Sequence, residues 1–134
     1  MKLNLKTALK MIEAAEAKAE EIEVPMVITV LDEGGNLIAQ HRMDDAIFAS
    51  VDISLNKAYS AVSTKMPTHV LGEASQVGQP LFGINTTNNG RLVIFGGGFP
   101  INDNKDNIIG AIGVSGGAVE DDMKCAKAGL EAFE

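Results

Sequence analysis

Few side chains in this 134-residue chain could hold a proton, a metal or an anion in a chosen place. His41 lies where alternation sets Leu37, Ala39 and His41 on one face of a strand and Ile38, Gln40 and Arg42 on the other, so an ordinary strand histidine is the simpler reading. His69 stands at the start of a short helix beside a charge-poor stretch. It could act as an acid-base group or as a metal or haem ligand, against which stands a solvated or capping role. Lys57 falls five residues after Asp52, a poor spacing for an ion pair along one helix face. On an apolar helix it is either a functional amine or ligand clamp, or one more surface lysine. Cys125 has no histidine near it in sequence to activate a thiol and reads as a small buried hydrophobe. Two histidines without an accompanying carboxylate pattern make no zinc site, and one cysteine excludes both an internal disulfide and a C-x-x-C pair.

The most informative run is Gly83-Ile84-Asn85-Thr86-Thr87-Asn88-Asn89-Gly90-Arg91, followed by Phe95-Gly96-Gly97-Gly98-Phe99-Pro100. Short hydroxyl and amide side chains with glycine backbone can line a pocket or a close subunit contact, and a lone arginine in neutral surroundings can clamp a carboxylate. From Ala74 to Asn102, twenty-nine residues carry one charge, Arg91, and six glycines. A loop this long is functional or disordered, and the interleaved Ile, Leu and Phe argue for order. Asn85, Thr86, Arg91, Gly97 and Gly98, together with Lys57 and His69, are therefore the candidate ligand-binding set. Gly116-Gly117, between a strand and the last helix, could admit an anion to free helix amides. Glu120, Asp121 and Asp122 already occupy that helix's first turn, which favours ordinary capping. No G-x-G-x-x-G follows the first strand and no P-loop occurs, so a nucleotide-binding loop is not supported.

These residues need elements to position them. Leu5, Ala8, Ile12, Ala15, Ala19 and Ile22 recur at steps of three and four, which predicts a helix over Leu5–Ile22 closed by Pro25. Met26–Leu31 is dense in β-branched residues and predicts a buried strand, joined through Glu33-Gly34-Gly35-Asn36 to a second strand over Leu37–Met43. Ala49–Lys65 reads as a second helix, and Pro67-Thr68 opens a short third that ends at or just after Gly72. Leu92–Phe95 is expected as a short strand, Gly96–Gly98 as a bend or bulge, and Phe99–Ile101 as its continuation or partner. Ile108–Ser115 is a further strand. A last helix carries Val119, Met123, Ala126, Leu130 and Phe133 on one face. The order helix, hairpin, two helices, strands, helix indicates a single α+β domain with a mostly antiparallel sheet.

Composition bounds the partners. Eleven Lys and Arg against eighteen Asp and Glu give a net charge of −7, which repels a phosphate backbone or an anionic membrane surface. The longest apolar run, Val24–Leu31, is far short of the ~20 residues a bilayer span needs. Charges at Lys2, Lys6, Lys10 and Glu13 break up any signal-peptide core, so a cytoplasmic protein without nucleic-acid or membrane partners is expected. There is no Trp and one Tyr, so aliphatic side chains, Ala and Met must fill the core, and eleven of the fourteen glycines lie between Gly72 and Gly117.

At these residues the sequence resembles a known family. Val30-Leu31-Asp32-Glu33-Gly34-Gly35-Asn36-Leu37, Arg42-Met43-Asp44, Ala49-Ser50-Val51-Asp52-Ile53 with Lys57-Ala58-Tyr59, Asn85-Thr86 through Gly90-Arg91, Gly97-Gly98-Phe99-Pro100, and Ile109–Gly117 together resemble the GlcG/HbpS-like family, which includes the C-terminal domain of PduO proteins. The resemblance spans nearly the whole chain. It implies an α-β-α layered domain around a central antiparallel sheet of about five strands, reminiscent of profilin-like folds, assembling into homo-oligomers. It also implies a place beside glycolate, glycerol or propanediol utilisation and, for some members, binding of haem or another tetrapyrrole. Haem-binding members are associated with a histidine in the first helix. Leu5–Ile22 here has no His, Cys or Tyr, and Met11 is its only methionine. The expectation is a cytoplasmic, oligomeric accessory protein that binds a small organic ligand or tetrapyrrole. Two alternatives stand beside it: a small enzyme using Lys57 or His69 for proton transfer, and a purely structural oligomer.

Overall fold

The computed structural model describes residues 2–133. Asn4 opens α1 (Leu5–Glu21), its Oδ1 accepting the Thr7 amide at 2.8 Å and closing one of the donors that a helix start leaves free. Of the stripe read from the sequence, Ala8, Ile12, Ala15 and Ala19 are closed from solvent together with Met11, whereas Leu5 in the first turn is exposed. β1 (Val27–Asp32) and β2 (Leu37–Arg42) form an antiparallel hairpin whose turn is tied by Asp32, which accepts the amides of Gly34 and Asn36, each at 2.9 Å. After α2 (Ala49–Thr64) and α3 (Thr68–Ala74), β3 (Gly98–Asn102) and β4 (Ile108–Ser115) repeat that device. There Asp103 accepts the amides of Lys105 and Asn107, each at 2.9 Å. α4 (Val119–Phe133) completes the chain.

The strands pair in the order β2-β1-β4-β3, all antiparallel. β1 and β4 are central and buried on both faces. Side-chain alternation divides them between two cores. Ile28, Val30, Ile112 and Val114 meet α1 and α4, while Leu31 and Ala111 meet Ala58, Ala61 and Val62 of α2. The result is the expected α-β-α layering of an α+β fold.

The small share of aromatic residues, 4% of the chain, has a geometric counterpart. A Cβ on Gly113 would lie 2.1 Å from the Ser54 carbonyl, and one on Gly98 would lie 2.4 Å from that of Lys57, so α2 rests almost backbone to backbone on β3 and β4. Gly129 plays the same part in α4, where a Cβ would fall 2.6 Å from Ile112 Cδ1. Interiors packed this closely leave no room for an added methylene without shifting the backbone.

Two expectations need correction. The sheet has four strands, not five. Leu92–Phe95, expected as a strand, is irregular: the Val93 amide donates to Ser60 Oγ of α2 at 2.8 Å, and the Ile94 carbonyl presses on Gly72 of α3, where a Cβ would lie 2.2 Å away. The run is apolar because it packs on helices, and its backbone hydrogen bonding goes to a side chain. Before it, residues 75–91 fold as consecutive turns with two short 3-10 helices, Ile84–Thr86 and Asn88–Gly90. The outer edge of β3 offers few donors to an incoming strand, since the Gly98 amide is held by Thr68 Oγ1 at 2.9 Å and Pro100 has none. No helix among the described residues is long and apolar enough to cross a membrane.

Candidate functional site

Lys57 is fully buried, which its sequence setting did not indicate. The small residues around it on α2, Ser54, Ala58, Ser60 and Ala61, bring the helix close to the sheet. Its stem reaches inward, and Nζ donates to the Val114 carbonyl and to Asp122 Oδ2, each at 2.8 Å. The Phe95 ring lies over the ammonium at 5.3 Å, a cation-π contact. Asp122 in turn accepts the Gly117 amide on Oδ1 at 2.9 Å, so one carboxylate joins the start of α4 to the middle of α2. Burial holds Lys57 below the ordinary lysine value and Asp122 above the ordinary aspartate value, and the attraction between them offsets each only in part.

Gly97 and Gly98 belong to the same cluster. Gly97 has φ +127°, and a Cβ there would lie 2.6 Å from Lys57 Nζ and 2.6 Å from the Val114 carbonyl. A backbone of this kind excludes side chains both by conformation and by space. The bend that admits β3 to the sheet is thus shaped around the lysine ammonium. Sequence reasoning missed Asp122 as its partner, because the two are 65 residues apart and the acidic first turn of α4 is explained without it by the helix dipole.

His69 lies on α3 next to Thr68, which holds Gly98. Its ring tilts against Phe99 with centroids 5.6 Å apart, and its Nδ1 is buried without a hydrogen-bond partner among the described residues. His41, by contrast, is engaged: its Nδ1 bonds Glu16 of α1. Arg91 is elsewhere, on the outer flank of α2. Its guanidinium stacks 3.6 Å from the centre of the Tyr59 ring, and Nε lies 3.5 Å from Asn56 Oδ1. Asn85 and Thr86 are exposed in the first 3-10 helix, where Thr86 Oγ1 bonds the Gly83 carbonyl. The seven candidates therefore divide into Lys57, Gly97, Gly98 and His69 around the start of β3, and Asn85, Thr86 and Arg91 on the loop outside α2.

An open groove of about 830 Å³ runs beside β3. Phe99, Pro100, Ile101, Ile108, Leu130 and Phe133 supply its apolar surface, Asn102, Asp103 and Asn104 one polar end, and Lys65 its cation. None of the seven lines it, but Phe99 belongs both to the groove and to the His69 contact. Its volume falls within the about 300–1,000 Å³ of small-molecule sites. No set of three or more His, Cys, Asp or Glu side chains among the described residues converges on a metal-sized site. Cys125 is buried, and burial, with Asp122 and Asp121 adding to it, pushes its thiol up to about 11.

Fold and site define a layered α+β domain with a four-stranded antiparallel sheet, a sequestered lysine-aspartate pair and an amphipathic groove along one edge strand. Residues 3–131 match the model of the family described as haem degrading protein HbpS-like, and the chain belongs to that family. It is 50% identical over 131 residues to the "Uncharacterized 15.0 kDa protein in dhaT-dhaS intergenic region" of Citrobacter freundii, covering 98% of this chain and 92% of that one. It is 36% identical to the corrinoid adenosyltransferase PduO of the same organism, with 99% of this chain matching 39% of that protein. Among solved structures, the PduOC–haem complex superposes with a TM-score of 0.94 at 33% identity, covering 98% of this chain and 95% of that one.

Proposed function

We propose that this protein is a tetrapyrrole-binding accessory protein whose ligand, haem or a ring of the same kind, lies in the groove beside β3. The observation that carries this reading is the groove's chemistry: an apolar surface of Phe99, Ile101, Leu130 and Phe133, one cation at Lys65, and next to Phe99 an imidazole with an unpartnered nitrogen. A flat apolar ring bearing carboxylates matches that combination. The family match and the likeness to the PduOC–haem complex support the same ligand class.

The groove's apolar lining and Lys65 fit the face and a carboxylate of such a ring, while its lining holds no histidine. Bound haem would supply an iron with open coordination positions and a conjugated ring. Of the two histidines, His69 is the one that contacts a groove side chain, Phe99, from behind the groove's lining, whereas His41 is committed to Glu16 and Met11 is wholly buried in α1. The groove side chains exclude water from the ring face, and Lys65 neutralises a ligand carboxylate. Lys57, Gly97 and Gly98 act at one remove, as the framework that sets the position of β3 and Phe99.

This role fits a cytoplasmic, homo-oligomeric protein serving glycolate, glycerol or propanediol-type metabolism. Homo-oligomerisation is supported by exposed Phe82 and Val77 within the run whose only charge is Arg91, where copies of a chain of net charge −7 can meet without repulsion. Titration of haemin into the purified protein tests the central reading. A saturable shift of the Soret band is expected, and a spectrum identical to free haemin at every ratio overturns it.

A further inference from the structure

Arg91 carries a guanidinium with no acidic partner among the described residues. No carboxylate among the described residues lies within ion-pair distance of it, although the chain has eighteen Asp and Glu. Asp52, one turn from Asn56 on α2, accepts the Asn56 amide at 3.0 Å and does not pair with the arginine. The group is nevertheless held in place. Its plane stacks at 3.6 Å from the Tyr59 ring centre, and the Tyr59 hydroxyl donates to Asn88 Oδ1 at 2.9 Å, which fixes the ring. Two residues on, the Val93 amide donates to Ser60 Oγ at 2.8 Å, anchoring the backbone that follows Arg91 to α2. Three successive residues before it, Asn88, Asn89 and Gly90, have positive φ of 52°, 57° and 74° and turn the chain so that the arginine meets Tyr59.

The stack leaves the guanidinium's edge open except at Nε, which donates to Asn56 Oδ1 at 3.5 Å, so the two terminal nitrogens can donate to the two oxygens of a carboxylate in parallel hydrogen bonds. Because the stack and Tyr59 already restrict the side chain, little rotamer freedom is left to lose when an anion binds. We infer that Arg91, oriented by Tyr59, is a carboxylate-binding site on the outer flank of α2, separate from the groove beside β3 and independent of what that groove holds. The carboxylate belongs either to a small organic acid or to an Asp or Glu of a second copy. The recognition chemistry is the same for both.

The chain has two arginines, Arg42 and Arg91, so the Nε–Hε resonances of a ¹H–¹⁵N spectrum report each separately. Titration with acetate at constant ionic strength, with acetamide as its neutral isostere, is expected to move Arg91 saturably and leave Arg42 in place. Acetamide is expected to do nothing. Tyr59→Leu should weaken the response by about ten-fold, and Tyr59→Phe, which keeps the stack, by much less. If acetate is silent but Arg91→Lys lowers the solution mass from an oligomer to a smaller species, the carboxylate comes from a second copy and the site stands. Equal movement of Arg42 and Arg91, or no movement together with an unchanged mass in Arg91→Lys, overturns the inference.

Discussion

Lys57 Nζ and Asp122 Oδ2 lie 2.8 Å apart with both side chains closed from water, joining the middle of α2 to the first turn of α4. A pair of this kind contributes less through its own attraction than through what its loss leaves behind, a buried charge with no counter-ion.

Removing one partner is therefore costly. Asp122→Ala or Lys57→Ala is expected to lower unfolding free energy by about 3–5 kcal/mol in urea melts. The double variant Lys57→Met with Asp122→Leu should lose much less than the sum of the single changes, because neither leaves an isolated charge. Additive losses would show that the two side chains act separately.

Gly97 is tied to the same ammonium. At φ +127° with Lys57 Nζ and the Val114 carbonyl 2.6 Å from a Cβ position, Gly97→Ala combines a strained backbone with a clash. A loss of at least about 1–3 kcal/mol is expected from the strain alone. Gly83→Ala, also at positive φ but with nothing within 4 Å of its Cβ, should cost less in the same melts.

Cys125 should be inert while the protein is folded. Its thiol is buried and pushed up to about 11, so at neutral pH the reactive thiolate is scarce. Thiol-specific dye should label native protein slowly and urea-unfolded protein at once. Rapid labelling of the native protein would contradict this burial.

Acid should loosen the β3–β4 turn. The amide of Asn107, then that of Lys105, holds the Asp103 carboxyl below 3.8. A depressed folded value means that this contribution is present above the unfolded value and is lost as pH falls through the folded one. Wild type should melt above Asp103→Asn near neutrality, with the gap shrinking as pH drops below 3.8. A gap independent of pH would show that the carboxylate is not what the amides hold.

Periodicity carried most of the fold. The α1 stripe and the alternation in β1 and β2 are local patterns, and the structure follows them because each element buries the face its own sequence marks. Leu92–Phe95 has the composition of a strand but packs on α2 and α3, a choice made by Ser60 and Gly72, which lie far from it in sequence. The site was legible in part. The glycines near Gly97 stood out by their spacing, whereas the burial of Lys57 depends on a carboxylate 65 residues away that no local pattern announces. The groove has no local sequence signature either, because β3, α4 and the α2–α3 connection meet there only in three dimensions.

The most direct test of the tetrapyrrole reading compares haemin spectra of wild type, His69→Ala and His41→Ala. A saturable Soret shift is expected in wild type, retained in His41→Ala and lost or moved to a different position in His69→Ala. An unaltered wild-type spectrum in His69→Ala, or its loss in His41→Ala alone, would contradict it.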